Sequence, residues 1–108
     1  MLSWICLGVA GLLEIVFAFG MKWSAGFTRP VPGLITAATG AASIYLLSLS
    51  LRTLPIGTAY AVWTGIGAVG TVLVGILFLG ESSAPLRLLC IAVIICGVMG
   101  LKAVSSGA

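Results

Sequence analysis

One carboxylate stands inside the apolar stretch AGLLEIVFAFGMKW. It belongs to Glu14, one of only two acidic residues in the chain. Where lipid surrounds a helix, such a group is costly, faces a protein interior or an aqueous cavity, and marks a route for ions or substrates. Residues three or four positions away share its helix face. On that face Gly11 and Ala10 leave space beside the carboxylate, and Phe17 supplies an aromatic wall.

A second chemical signature lies in LPIGTAYAVWTGIGAVG, where Tyr60 and Trp63 stand three residues apart on one helix face. Each ring offers a π surface to a cation and a polar hydrogen to a carboxylate. The alternative is an aromatic pair that anchors the helix at the membrane interface. Ser43, in the preceding apolar segment, is the deepest candidate for a hydrogen-bond partner of the carboxylate. Serines in helices also bond to their own backbone carbonyls.

The glycines of GIGAVG reproduce the spacing of a dinucleotide-binding loop. That motif has to follow a β-strand and open a helix, whereas these glycines lie inside an apolar helical segment. They therefore predict close packing between helices or a bend in the helix, which alternating access would use.

The chemistry that these residues favour is exchange of a cation for a proton. An apolar environment disfavours an unpaired carboxylate, so a bound proton or a bound cation is expected there. One site that holds either, and opens alternately to the two sides of a membrane, is an antiporter. An enzyme is not expected, because the chain has no histidine, no nucleophile–base pair and no metal-ligand spacing among its three cysteines. No cofactor is expected. The net charge of +3 is spread over the flanks of the apolar segments, which argues against a nucleic-acid partner.

The chain that positions these residues has 108 residues, of which 61% are hydrophobic and 6% charged. A soluble domain carries about 25% charged residues, so lipid is the expected surrounding. Four apolar segments, at about 2–21, 31–51, 56–79 and 86–104, each approach the length of about 20 residues that a membrane-spanning helix needs. The sequence predicts an all-α membrane protein with four transmembrane helices in a single domain at 1–108, packed as a compact bundle.

Basic residues are nearly balanced between the two sides of this predicted domain. The side of the N-terminus holds Arg52 and Lys102, and the opposite side holds Lys22, Arg29 and Arg87. Because an excess of Lys and Arg fixes the orientation of a membrane protein, this near-balance predicts dual topology. Two oppositely inserted copies would form an antiparallel homodimer, in line with the inverted repeats that recur around midplane sites in transporters.

The last apolar segment is expected to form the main contact of that dimer. Small residues let two helices approach closely in a membrane. The segment offers four of them within nine positions: Ala92, Cys96, Gly97 and Gly100.

The length, the four segments and the motifs GLLEIVFAFGMKWSAGFTR and LPIGTAYAVWTGIGAVG together resemble the small multidrug resistance family, over essentially the whole chain. The second motif and the ending GLKAVSS resemble its guanidinium-exporter subtype. The resemblance implies an antiparallel homodimer in the inner (plasma) membrane that exchanges protons for guanidinium. It makes Glu14 the essential carboxylate, with Ser43 and Trp63 as its hydrogen-bond partners. It also makes Tyr60 a gating or substrate-facing tyrosine and Gly11 the small residue beside the carboxylate.

The chain departs from this subtype at Phe17, where the resemblance leads us to expect tryptophan. Phenylalanine has no indole N–H to donate to the carboxylate, so the hypothesis is a looser site that admits larger cations. The first expectation is a proton-coupled exporter of guanidinium or closely related small cations. The alternatives are a broader exporter of quaternary ammonium and other hydrophobic cations, a non-transporting membrane partner subunit, and a channel.

Overall fold

The computed structural model describes residues 2–105, which form four α-helices. They are α1 (Leu2–Trp23), α2 (Pro30–Ser50), α3 (Ile56–Phe78) and α4 (Pro85–Ser105). Each end lies within two residues of the range predicted from the sequence. All four helices are long and apolar enough to cross a membrane, which confirms the prediction of an all-α membrane protein with four spanning helices.

Prolines begin three of these helices. Pro30 and Pro32 lie in the first turn of α2, Pro55 is the residue that caps α3, and Pro85 is the first residue of α4. A helix leaves its first N–H groups without an internal partner, so proline costs little there and its fixed φ suits the start of the helix. The prolines in the sequence therefore determine where these three helices begin.

The four helices form an open layer. Helix α1 packs against α2 and α3, and α4 packs against α3. The molecule measures 44 × 35 × 17 Å, and its smallest dimension is less than twice the diameter of about 10–12 Å of one helix with its side chains. A small buried core of Leu7, Ala59 and Val62 joins α1 and α3, and Leu47 of α2 and Val98 of α4 pack against it. The expected compact bundle is only partly formed by a single copy of the chain, because α4 is left mostly exposed.

Close contacts between the helices are made at the glycines of GIGAVG. An ideal Cβ on Gly65 would clash with the side chain of Val98 in α4, and one on Gly70 would clash with the side chain of Ile15 in α1. Helix α3 runs without interruption through this motif. Of the two alternatives left open by the sequence, the structure shows close packing, since each glycine admits a side chain from a neighbouring helix.

Glu81, the second acidic residue, lies in the connection between α3 and α4. Its carboxylate accepts a hydrogen bond from the guanidinium of Arg87 at 2.8 Å. Arg87 also donates to the backbone carbonyl of Ser82 at 2.8 Å. This pair offsets one of the three basic residues on its side of the membrane, so that each side carries a net side-chain charge of +2.

Candidate functional site

A cavity of about 470 Å³ lies along α3 where this helix faces α1. It brings together three of the six predicted site residues, namely Glu14, Tyr60 and Trp63. The other residues of its lining are Ala18 from α1 and Thr64, Gly67, Ala68, Thr71 and Val72 from α3. A carboxylate and two aromatic rings thus share one cavity within the membrane-spanning part of the chain.

The side chain of Glu14 crosses α3 at Gly67. An ideal Cβ on Gly67 would lie 2.8 Å from Glu14 Cγ and 3.4 Å from Glu14 Cβ. Only glycine therefore leaves room for the carboxylate to enter the cavity in this position. Among residues 2–105, no side chain donates a hydrogen bond to the carboxylate of Glu14 or forms an ion pair with it.

Tyr60 and Trp63 form the aromatic part of the site. Their ring centroids are 5.7 Å apart and their planes are tilted by 55°, an arrangement that aromatic pairs favour. Tyr60 is 58% exposed in a single copy of the chain, whereas Trp63 is partly buried. The Glu14 carboxylate lies in the same cavity as both rings, so a cation bound there would gain cation–π attraction in addition to the ion pair.

Ser43 of α2 is fully buried and links α2 to α1 and α3. Its hydroxyl donates to the carbonyl oxygen of Ala10 in α1 at 2.6 Å and accepts the indole N–H of Trp63 at 2.9 Å. In an α-helix the carbonyl of residue 10 also accepts the backbone N–H of residue 14. The network therefore ends on the turn of α1 that carries Glu14. It fixes the Trp63 ring relative to that turn.

This network corrects the expected role of Ser43 and Trp63. The resemblance implies that both bond to the carboxylate, but within one copy of the chain they bond to each other and to the backbone of α1. The alternative that serines of α2 bond to their own backbone applies to Ser48 and Ser50, whose hydroxyls donate to the backbone carbonyls of Tyr45 and Leu47. Ser43 differs from them because it lies on the face of α2 that meets α1 and α3.

Gly11 and Phe17 do not line the cavity. The space beside Gly11 is filled by Ile66 of α3, which would lie 2.6 Å from an ideal Cβ, so this glycine lets α1 and α3 meet. Phe17 packs on Gly40 of α2, whose ideal Cβ would lie 2.7 Å from the ring. At about 100° per residue, Phe17 is turned roughly 60° from Glu14 towards α2. The expected space and the expected aromatic wall beside the carboxylate are absent from this copy of the chain.

Four lining residues of α3 were not singled out from the sequence. They continue the face of Tyr60 at helical spacing: Thr64, Ala68, Thr71 and Val72. Extending that face by steps of three and four residues would have found them. Within residues 2–105, no three His, Cys, Asp or Glu side chains come together as ligands for a metal ion.

The chain is similar to known proteins over nearly its whole length. The model of a family described as Small Multidrug Resistance protein matches residues 2–94. A protein of Citrobacter freundii named guanidinium exporter is 58% identical over 101 residues, which cover 94% of this chain and 96% of that protein. A guanidinium exporter of Yersinia pseudotuberculosis is 52% identical over 104 residues, covering 96% of this chain and 100% of that protein. With the family model matching most of its residues, the chain belongs to the small multidrug resistance family.

Proposed function

We propose that the chain is a proton-coupled antiporter that exports guanidinium and closely related small cations, with Glu14 as the site that protons and substrate share. Membership of the family already makes it a transporter of the inner membrane and not an enzyme. The proposal adds the substrate, the coupling ion and the residue at which they compete.

The observation that carries the proposal is the Glu14 carboxylate in the cavity of α1 and α3. None of the described residues neutralises it, and a charge in a membrane domain needs a counter-ion or a proton. A planar guanidinium can donate two parallel N–H groups to the two carboxylate oxygens. The rings of Tyr60 and Trp63 offer π surface to the same cation. The names of the relatives support guanidinium as the substrate.

The alternative of a broader substrate range, which includes quaternary ammonium ions, depends on Phe17 lying beside the carboxylate. This side chain packs on α2, outside the cavity lining, and its ring centroid lies 6.5 Å from that of Phe27. Its lack of an indole N–H therefore removes no donor from the carboxylate in this copy of the chain. No observation on the described residues favours the broader range over guanidinium.

We propose further that the working unit is an antiparallel homodimer that opens alternately to the two sides. One copy provides only α1 and α3 as walls of the cavity, so a second copy is needed to close it. Helix α4 offers a face for that copy, because an added Cβ at Gly97 or Gly100 would meet no atom within 4 Å. Lys and Arg are nearly balanced between the two sides, two against three, which leaves little bias towards one orientation.

Transport by purified protein in liposomes tests the proposed exchange. Guanidinium uptake driven by an outward proton gradient is measured for the wild type and for Glu14→Gln. The matched control is Glu81→Gln, which removes the second side-chain carboxylate of the chain, the one that lies outside the cavity. We expect uptake coupled to proton efflux in the wild type and in Glu81→Gln, and none in Glu14→Gln. Uptake that persists in Glu14→Gln contradicts the proposed site. If the wild-type protein shows no uptake when it is reconstituted without another chain, the result favours the partner-subunit alternative. Guanidinium uptake without proton movement favours the channel.

A further inference from the structure

The cavity has two chemically different ends on either side of the point where Glu14 meets α3. Towards the start of α3 it is lined by Tyr60, Trp63 and Thr64. Beyond Gly67, the lining side chains are aliphatic except for one hydroxyl, which belongs to Thr71. A polar ligand atom directed to that end therefore has Thr71 as its side-chain partner among the residues that line the cavity.

The hydroxyl of Thr71 is free, unlike comparable hydroxyls of α2. Thr36 and Thr39 donate to the carbonyls of Pro32 and Ile35, each at 2.8 Å, which is the usual way for threonine to satisfy its hydroxyl in a helix. Thr71 makes no side-chain hydrogen bond within residues 2–105, although it is partly buried. A polar group in an apolar surrounding without a partner is unfavourable, so a ligand that supplies the partner is stabilised.

A guanidinium ion carries more N–H donors than one carboxylate can accept, since a bidentate pair uses only two of them. The donors on its far side remain unsatisfied unless the site provides further acceptors. We propose that Thr71 is a substrate-binding residue that accepts one of these N–H groups at the end of the cavity remote from the aromatic pair. This inference rests on the proposed function, because it assumes that Glu14 holds the cation.

The spacing on α3 is compatible with this role. Thr71 lies four residues after Gly67, a rise of about 6 Å along the helix axis. This separation places the hydroxyl beyond the Glu14 contact, where a small cation that is hydrogen-bonded at both ends fits between the two groups.

The consequence is a preference for cations that carry N–H groups. Quaternary ammonium ions have no hydrogen to donate, so they gain nothing from Thr71 and leave its hydroxyl unpaired. A site that hydrogen-bonds its substrate rejects an analogue without the donor more strongly than an apolar site rejects a small difference in size. Thr71 would thereby act on selectivity as well as affinity.

Guanidinium binding by the purified full-length protein tests this inference. Affinity is measured by calorimetry at alkaline pH with Thr71→Val, which removes the hydroxyl and keeps the branched shape. Thr71→Ser restores a hydroxyl. Thr39→Val is the matched control, because its hydroxyl is already bonded within α2. Proton binding by each variant is followed by titration, since a general disturbance of the Glu14 site would change it.

We expect Thr71→Val to raise the Kd for guanidinium about tenfold, the effect of one hydrogen bond to a charged donor. Thr71→Ser and Thr39→Val should bind like the wild type, and proton binding should be the same in all of them. An unchanged Kd in Thr71→Val, or a Thr71→Ser variant as weak as Thr71→Val, overturns the role of Thr71 and leaves the proposed function standing. Guanidinium binding that is indifferent to Glu14→Gln overturns both.

Discussion

Replacing Gly67 with alanine should displace the carboxylate from its cavity. The new Cβ would lie 2.8 Å from Glu14 Cγ, whereas carbon atoms in contact are about 3.5–4.0 Å apart. The two groups must therefore separate by about 1 Å, through rotation of the Glu14 side chain or a shift between α1 and α3. A misplacement of about 1 Å in a reacting group can cost on the order of 100-fold in rate. We expect a loss of this order in guanidinium transport by Gly67→Ala.

Stability separates this effect from a general failure to fold. Overpacking costs about 1–3 kcal/mol, and alanine gains about 1 kcal/mol over glycine in a helix interior. The net destabilisation of Gly67→Ala should therefore be small, at most about 2 kcal/mol. Gly57→Ala, in the first turn of α3, is the matched control because its Cβ would meet no atom within 4 Å.

The assay is guanidinium uptake by liposomes that contain equal amounts of folded protein, with the thermal unfolding midpoint measured for both variants. Gly57→Ala should transport like the wild type, and Gly67→Ala should be folded and nearly inactive. If Gly67→Ala transports at the wild-type rate, the reasoning from the contact between Glu14 and α3 is refuted.

Two further predictions concern the network and the topology. Ser43→Ala removes the acceptor of the Trp63 indole in a buried position, which should cost about 1–3 kcal/mol and lower the unfolding midpoint. Ser48→Ala, whose hydroxyl bonds within α2, should change it little, and equal midpoints for the two variants would contradict the network. Arg52→Gln leaves one basic residue against three on the other side, so reporter fusions should find the wild type in both orientations and this variant mainly with its N-terminus outside. An unbiased variant would contradict the charge argument.

The sequence predicts the parts of the fold that each helix determines by itself. Apolar length and the placement of proline are local properties, and they give four spanning helices. The same holds for Glu14 and for the pair of Tyr60 and Trp63, whose residue types are unusual in an apolar helix whatever surrounds them. These three residues meet in one cavity because α1 and α3 are neighbours.

Features that depend on which helices are neighbours could not be read from the sequence. Gly11 and Phe17 both lie three residues from Glu14, yet they turn in opposite directions by roughly 60° around the helix. One therefore meets α3 and the other meets α2. The partner of Ser43 is a backbone carbonyl more than 30 residues away, and no spacing within α2 indicates it. The open layer likewise follows from α4 packing on α3 alone.

The central claim is that one carboxylate holds either a proton or guanidinium, and proton release on binding tests it most directly. Guanidinium is added to detergent-solubilised protein in weakly buffered solution, and released protons are counted with a pH indicator against Glu14→Gln. The account predicts release that saturates with guanidinium and is absent in Glu14→Gln. Guanidinium binding without proton release at any pH, or release that persists in Glu14→Gln, would contradict it.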